Sequence, residues 1–311
     1  LTELAHERGY GESSHVVWLG RSGAKDWDLL PLIIDGDWTF VTRNSIDFRG
    51  AASRPGEKGQ YARVDLHAGL VCLNGPADWS GVFWNRVPMI YFDNAATSFP
   101  KPPGVAEAMS KFVAEEAANP GRAGHKMAVA AEQKLDDLRL KLTRFFDGKD
   151  HHRMVFAMNG TDALNMAIKG VLGENHGAHV ITTNLEHNSV SRPLVAMAEL
   201  GLIELTRINA SEEGFINPDD IARALRPDTK LVVMTHASNV LGTIQDIDAV
   251  GQIVRNHGAL FCVDAAQTAG VVPISIQKQN IDLLAFPGHK SLLGPTGTGG
   301  LYVGERCPEP A

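Results

Sequence analysis

Apolar spacing changes style near residue 88. From Met89 onward, short continuous apolar runs alternate with longer stretches in which apolar residues recur every three or four positions. The runs predict strands at residues 154–157, 179–182, 203–208, 230–235, 260–263, 283–286 and 300–303, with a short one at Ile90-Tyr91-Phe92. The longer stretches predict helices over 102–116, 129–146, 162–171, 190–200, 217–225 and 247–257. Leu135, Leu138, Leu142 and Phe145 mark the apolar stripe of the second helix, and Asn217-Pro218 places an N-cap residue before a proline at the first helical position. This alternation predicts an α/β domain over residues 89–311, a mainly parallel sheet flanked by helices. In such a sheet ligands sit at the carboxyl ends of the strands.

Residues 1–88 have no such regularity and form a separate small α/β fragment with a junction at 74–88, where Trp79 and Trp84 stand among polar residues. Short strands are expected at 16–19, 39–44 and 67–73, and a helix beginning near Asp26 or Asp28. The carboxylates Asp26, Asp28, Asp35, Asp37 and Asp47 read either as turn and cap residues or as ligands for a divalent metal.

Composition narrows the function classes. With 311 residues, a formal charge of −7 and 44% hydrophobic residues, the chain reads as a soluble globular protein with room for one large domain and a small one. Its mild acidity argues against broad nucleic-acid binding, which needs a basic face. Cys72, Cys262 and Cys307 are too few and too scattered for a disulfide framework or a zinc site, so no metal is expected there and a reducing cytoplasm is. No apolar run is long enough to span a bilayer, and no secretory signal pattern opens the chain.

The chemistry-bearing residues fall in loops after predicted strands. Lys290 follows the 283–286 strand within Phe286-Pro287-Gly288-His289-Lys290. Alone it reads as a surface lysine; with a lowered pKa it can form a Schiff base with an aldehyde. Asn159-Gly160-Thr161 opens a helix, either as a plain N-cap or as an anion cradle suited to a phosphate. His187 either caps the next helix or stacks on a flat ligand, and Asn239 either closes an Asx-turn or donates to a phenolic oxygen. Asp264 directly ends an apolar strand, where a carboxylate is costly unless paired; a helix N-cap, a buried ion pair or a protonated pyridine nitrogen would each satisfy it.

Taken together and in order, Asp93-Asn94-Ala95-Ala96-Thr97, Asn119-Pro120-Gly121, Glu186-His187-Asn188-Ser189, Ser238-Asn239-Val240-Leu241-Gly242-Thr243, Asp264-Ala265-Ala266-Gln267 and Gly288-His289-Lys290 resemble the class V aminotransferase family, in particular its cysteine desulfurase branch. The resemblance runs from about residue 90 to 303 and implies the large domain of fold type I pyridoxal-phosphate transferases. It implies pyridoxal 5′-phosphate as cofactor, held by Lys290 as Schiff-base lysine, Asp264 on the ring nitrogen, Gln267 and Asn239 on the ring oxygen, and Gly160, Thr161 and His289 on the phosphate. His187 is implied to stack on the ring and aid proton transfer, making Lys290, His187 and Asp264 the catalytic set. Ala95 and Ala96 would line the substrate side, and Thr296 or Thr298 would reach the phosphate of a dimer mate. Pro287 departs from the pattern, since many relatives place a hydroxyl there; phosphate binding then leans on Thr161 and His289.

The implied substrate is an amino acid, cysteine above all, in a homodimer that hands sulfur to an acceptor protein. Relatives place the sulfur-carrying cysteine and the carboxylate-binding arginine well beyond the lysine, so a large domain without its small C-terminal domain is expected here. In the N-terminal segment, residues 41–49 and 67–71 resemble the second half of a small PIN-like toxin, a family of metal-dependent ribonucleases; Asp47 matches a family acidic position.

Overall fold

A computed structural model describes residues 40–42, 70–72, 93–121, 124–173 and 177–307. The chain divides into two compact units, Leu1–Asp93 and Asn94–Ala311. In the first, β1 (Phe40–Thr42) pairs in parallel with β2 (Leu70–Cys72), Phe40 opposite Leu70. Both strands fall inside expected ones. The strand expected at 16–19, the helix near Asp26, the carboxylates including Asp47, and the strand at 90–92 lie outside the described residues.

The second unit is built on a seven-stranded sheet of β3 (Met154–Ala157), β4 (Ala178–Thr183), β5 (Ile203–Ile208), β6 (Thr229–Thr235), β7 (Leu260–Asp264), β8 (Leu283–Pro287) and β9 (Gly299–Val303). Its spatial order is β3-β9-β8-β7-β6-β4-β5. The pairs from β8 through β5 are parallel, while β9 runs antiparallel to both β3 and β8. The helices are α1 (Val105–Glu115), α2 (Lys126–Phe145), α3 (Gly160–Leu172), α4 (Asn188–Glu199), α5 (Pro218–Ala224) and α6 (Ile247–His257).

The central strands are apolar on both sides because both faces are covered. Val232, Met234, Phe261 and Val263 turn to one core with Ile221 of α5 and with Ile247, Val250 and Val254 of α6. Leu231, Val233, Cys262 and Leu283 turn to the other with Leu164, Ile168 and Leu172 of α3 and Val190 and Leu194 of α4. Each such buried aliphatic side chain contributes about 1.5–3 kcal/mol.

Most helices begin one to three residues from where their apolar pattern places them, and the two largest offsets, at α1 and α2, have visible causes. Gly104, with φ 90°, precedes α1 in the left-handed region, so the helix starts at Val105 rather than at residue 102. The His125 side chain accepts from Ala128 N and starts α2 at Lys126 rather than residue 129. The expected stripe of α2 is also corrected. Ala128, Ala131 and Thr143 are buried and Leu142 packs on the core, while Leu138 and Phe145 are exposed.

Candidate active site

The carboxyl ends of β3, β4, β6, β7 and β8 converge on a cavity of about 190 Å³. Asn159, Gly160, Thr161, His187, Asn239, Asp264, Gln267, Pro287, His289 and Lys290 all line it. Eight residues assigned above to the cofactor thus arrive from five different strand ends, separated by up to 130 positions of sequence (Gly160 to Lys290), at one place.

Each loop shows how its residue is freed for the cavity. Asn159 Oδ1 accepts from Asp162 N at 2.8 Å, so Asn159 is the cap of α3 and the Thr161 hydroxyl is not needed for it. An added Cβ at Gly160 would lie 3.3 Å from Pro287 Cδ, so glycine permits the close approach of α3 to the end of β8. His187 does cap α4: its Nδ1 accepts from Ser189 N at 3.1 Å and pairs with Ser189 Oγ at 2.7 Å. That bond places the ring hydrogen of neutral His187 on Nε2, so capping and cavity lining are compatible. Ser238 makes the turn after β6, its hydroxyl accepting from Val240 N and Leu241 N, while Asn239 lines the cavity. Gln267 Nε2 donates to Ala95 O at 3.3 Å, which ties Ala95 to the site. Thr298 Oγ1 donates to Pro295 O at 2.6 Å, bracing the loop after Lys290.

Asp264 is 3% exposed and accepts from Ala266 N at 2.8 Å. Burial raises its pKa, opposed by the Ala266 N–H and by the nearby His187 ring and Lys290 amine. A second acid stands behind it. Glu186 Oε1 accepts from Thr183 Oγ1 at 2.7 Å and Thr235 N at 3.0 Å, while its buried Oε2 has no partner. Burial pushes the Glu186 carboxyl up to about 8, against those two bonds and with a further push from Asp264. Its residue retains some exposure, but the carboxyl oxygen itself is buried, and the carboxyl sets the proton affinity. The Glu-His pair was visible in the sequence; the orphaned oxygen was not.

Cys262 and Cys307 are buried free thiols and neither lines the cavity. Asp150, His151 and His152 place one ligand atom each within 4.8 Å of one another on the surface, a juxtaposition no sequence spacing singled out.

The seven-stranded sheet and its flanking helices are those of the fold type I transferases. The chain belongs to the aminotransferase class-V family, whose model matches residues 90–311. A probable cysteine desulfurase of Methanothermobacter thermautotrophicus is 38% identical over 213 residues, covering 68% of this chain and 52% of that protein. The cysteine desulfurase IscS of Shewanella baltica is 38% identical over 218 residues, covering 69% and 53%. Among solved structures, the apo cysteine desulfurase of Thermococcus onnurineus superposes with a TM-score of 0.65 at 36% identity, over 70% of this chain and 54% of that one. SspA in complex with cysteine superposes with a TM-score of 0.65 at 32% identity, over 68% and 60%. The chain spans about half the length of the curated relatives it matches.

Proposed function

We propose that this chain carries the cofactor-binding part of a pyridoxal-phosphate enzyme of the cysteine desulfurase type, which converts cysteine to alanine and passes the sulfur on as a protein-bound persulfide. The observation that carries this reading is the convergence of Lys290, Asp264, His187, Asn239, Gln267, Gly160, Thr161 and His289 on one cavity.

The residues fit pyridoxal 5′-phosphate. The buried Asp264 carboxylate, with a single backbone N–H bonded to Oδ1, is matched by a protonated ring nitrogen. The N-terminus of α3 with Thr161, together with His289, suits a phosphate dianion. Bound there, the cofactor supplies an electron sink that acidifies the α-carbon of an amino acid. Lys290 Nζ would hold its aldehyde and is the amine placed to act as base toward the α-proton of a substrate. His187 would stack on the ring, and Asn239 and Gln267 would contact its oxygen.

Cysteine as substrate is supported by the names of the relatives and by the cysteine complex of SspA. A homodimer is supported by α1, which buries none of its residues and exposes Met109 and Val113, and by exposed Met158, Val240 and Leu241 near the site. A sulfur acceptor protein follows from the proposed product. No described helix is long and apolar enough to cross a membrane, and the free thiols suit a cytoplasmic location. A second reading, a chain that binds cofactor or dimerises without turning cysteine over, is favoured by one observation: Cys262 and Cys307 are buried away from the cavity. Cofactor-dependent alanine formation from cysteine by the purified chain supports the first reading; cofactor uptake with no alanine supports the second.

A further inference from the structure

The carbonyl of His289, one residue before Lys290, draws four donors from one distant segment. These are Ser98 N at 3.2 Å, Thr97 Oγ1 at 3.1 Å, Ser98 Oγ at 3.0 Å and Lys101 Nζ at 2.7 Å. A carbonyl oxygen offers two lone pairs, so four donors mark a concentration of positive potential at this peptide. Lys101 Nζ also donates to Ser98 Oγ at 2.7 Å, which leaves the Ser98 hydroxyl proton for the carbonyl. The ammonium therefore acts on His289 twice, directly and through Ser98, across 188 residues of sequence. Charge-assisted bonds of this kind are roughly twice as strong as neutral ones.

The loop it grips is otherwise closed on itself and on the strand beside it. Gly288 N donates to Thr298 O, Leu293 N to Lys290 O and Gly294 N to Gly288 O, each at 2.8 Å. The His289 carbonyl is where the 97–101 segment takes hold of the peptide leading to Lys290. On the same residue, His289 Nδ1 lies 3.0 Å from Thr97 Oγ1. With the Thr97 proton directed at the carbonyl, Nδ1 carries the hydrogen of that pair, and Nε2 is the nitrogen open to protonation. Burial, then the charges of Lys290 and Lys101, hold the His289 pKa below its ordinary value.

We propose that Lys101 is a positioning residue of this site: its ammonium, bridging Ser98 and the His289 carbonyl, fixes the peptide that presents Lys290 and keeps a positive charge beside the His289 ring. Its use to a cofactor rests on the phosphate role given to His289 above, but its effects are present in the cofactor-free chain.

The test compares Lys101→Met and Lys101→Arg with wild type in the full 311-residue chain without cofactor. The His289 ring titration is followed by NMR, its signal assigned by loss in His289→Gln. Lys101→Met is expected to raise the His289 midpoint by several tenths of a pH unit, and Lys101→Arg to leave it near wild type. Amide exchange at Lys290 to Leu293 is expected to quicken roughly tenfold in Lys101→Met and to be restored by Lys101→Arg. A folded Lys101→Met with an unmoved midpoint and unmoved exchange overturns the proposal, as does an equal change in Lys101→Arg. If these shifts appear while the chain takes up no pyridoxal phosphate, the cofactor reading fails and the positioning role stands.

Discussion

Glu186 gives the site a pH dependence whose sign and size follow from its surroundings. The carboxyl, ordinarily titrating at 4.5, is pushed up to about 8 by burial at the ends of β4 and β6. Between those values the folded chain keeps a proton that the unfolded chain has released. The unfolded state then binds fewer protons, and stability falls as pH rises. Below pH 4.5 both states are protonated and the penalty vanishes; by pH 8 it is fully developed. At about 1.36 kcal/mol per pH unit, the window corresponds to about 4–5 kcal/mol, a large share of a typical folding free energy.

Glu186→Gln keeps an oxygen for Thr183 Oγ1 and Thr235 N and places a neutral amide where the protonated acid stood. The variant is expected to match wild type below pH 4.5 and to exceed it progressively toward pH 8.5, by up to about 4–5 kcal/mol. Other groups also slope with pH. Burial raises Asp264 and Asp282, and burial lowers His236 to about 4, which costs stability as pH falls below its ordinary 6.5. Wild type and variant share these groups, so the difference between their urea midpoints isolates Glu186. Parallel midpoint curves from pH 5 to 8.5 would show that Glu186 does not hold its proton in the folded chain.

Two further outcomes test the packing and the thiols. Gly251 of α6 has no room for a side chain, since an added Cβ would lie 2.0 Å from Gln279 O; Gly251→Ala is expected to lower stability by about 1–3 kcal/mol in thermal melts, and an unchanged melt would refute the packing. Burial pushes the Cys307 thiol up to about 12 and that of Cys262 well above its usual range, so site-resolved mass spectrometry at pH 8 is expected to find both unlabelled by iodoacetamide in the folded chain and labelled in urea; native labelling of either contradicts their burial.

Much of the large unit was legible because its strands are covered on both faces. The strand at 203–208 and the helix at 247–257 match residue for residue, and Asn217-Pro218 announces α5 through an ordinary cap. The direction of β9 was not legible, because Gly299-Gly300-Leu301-Tyr302-Val303 carries no signal that distinguishes antiparallel from parallel pairing. The start of α2 was missed because a histidine supplies the cap, outside the usual Ser, Thr, Asp and Asn signal. For the site, the loop residues stood out because a polar side chain after an apolar strand needs a reason. Lys101 gave no such signal: it lies in a proline-rich turn, and its meaning depends on His289, 188 positions away. The Glu186 carboxyl is likewise defined by Thr183 and Thr235, one near in sequence and one brought in only by the pairing of β4 with β6.

On the proposed reading, the amine of Lys290 and the carboxylate of Asp264 face a single ligand. The absorbance spectrum of the purified chain after incubation with pyridoxal 5′-phosphate and removal of excess tests it most directly. A retained visible-edge band is expected in wild type, with its loss in a folded Lys290→Ala chain and weakened retention in Asp264→Asn. No retained band in wild type, or an identical band in Lys290→Ala, would contradict it.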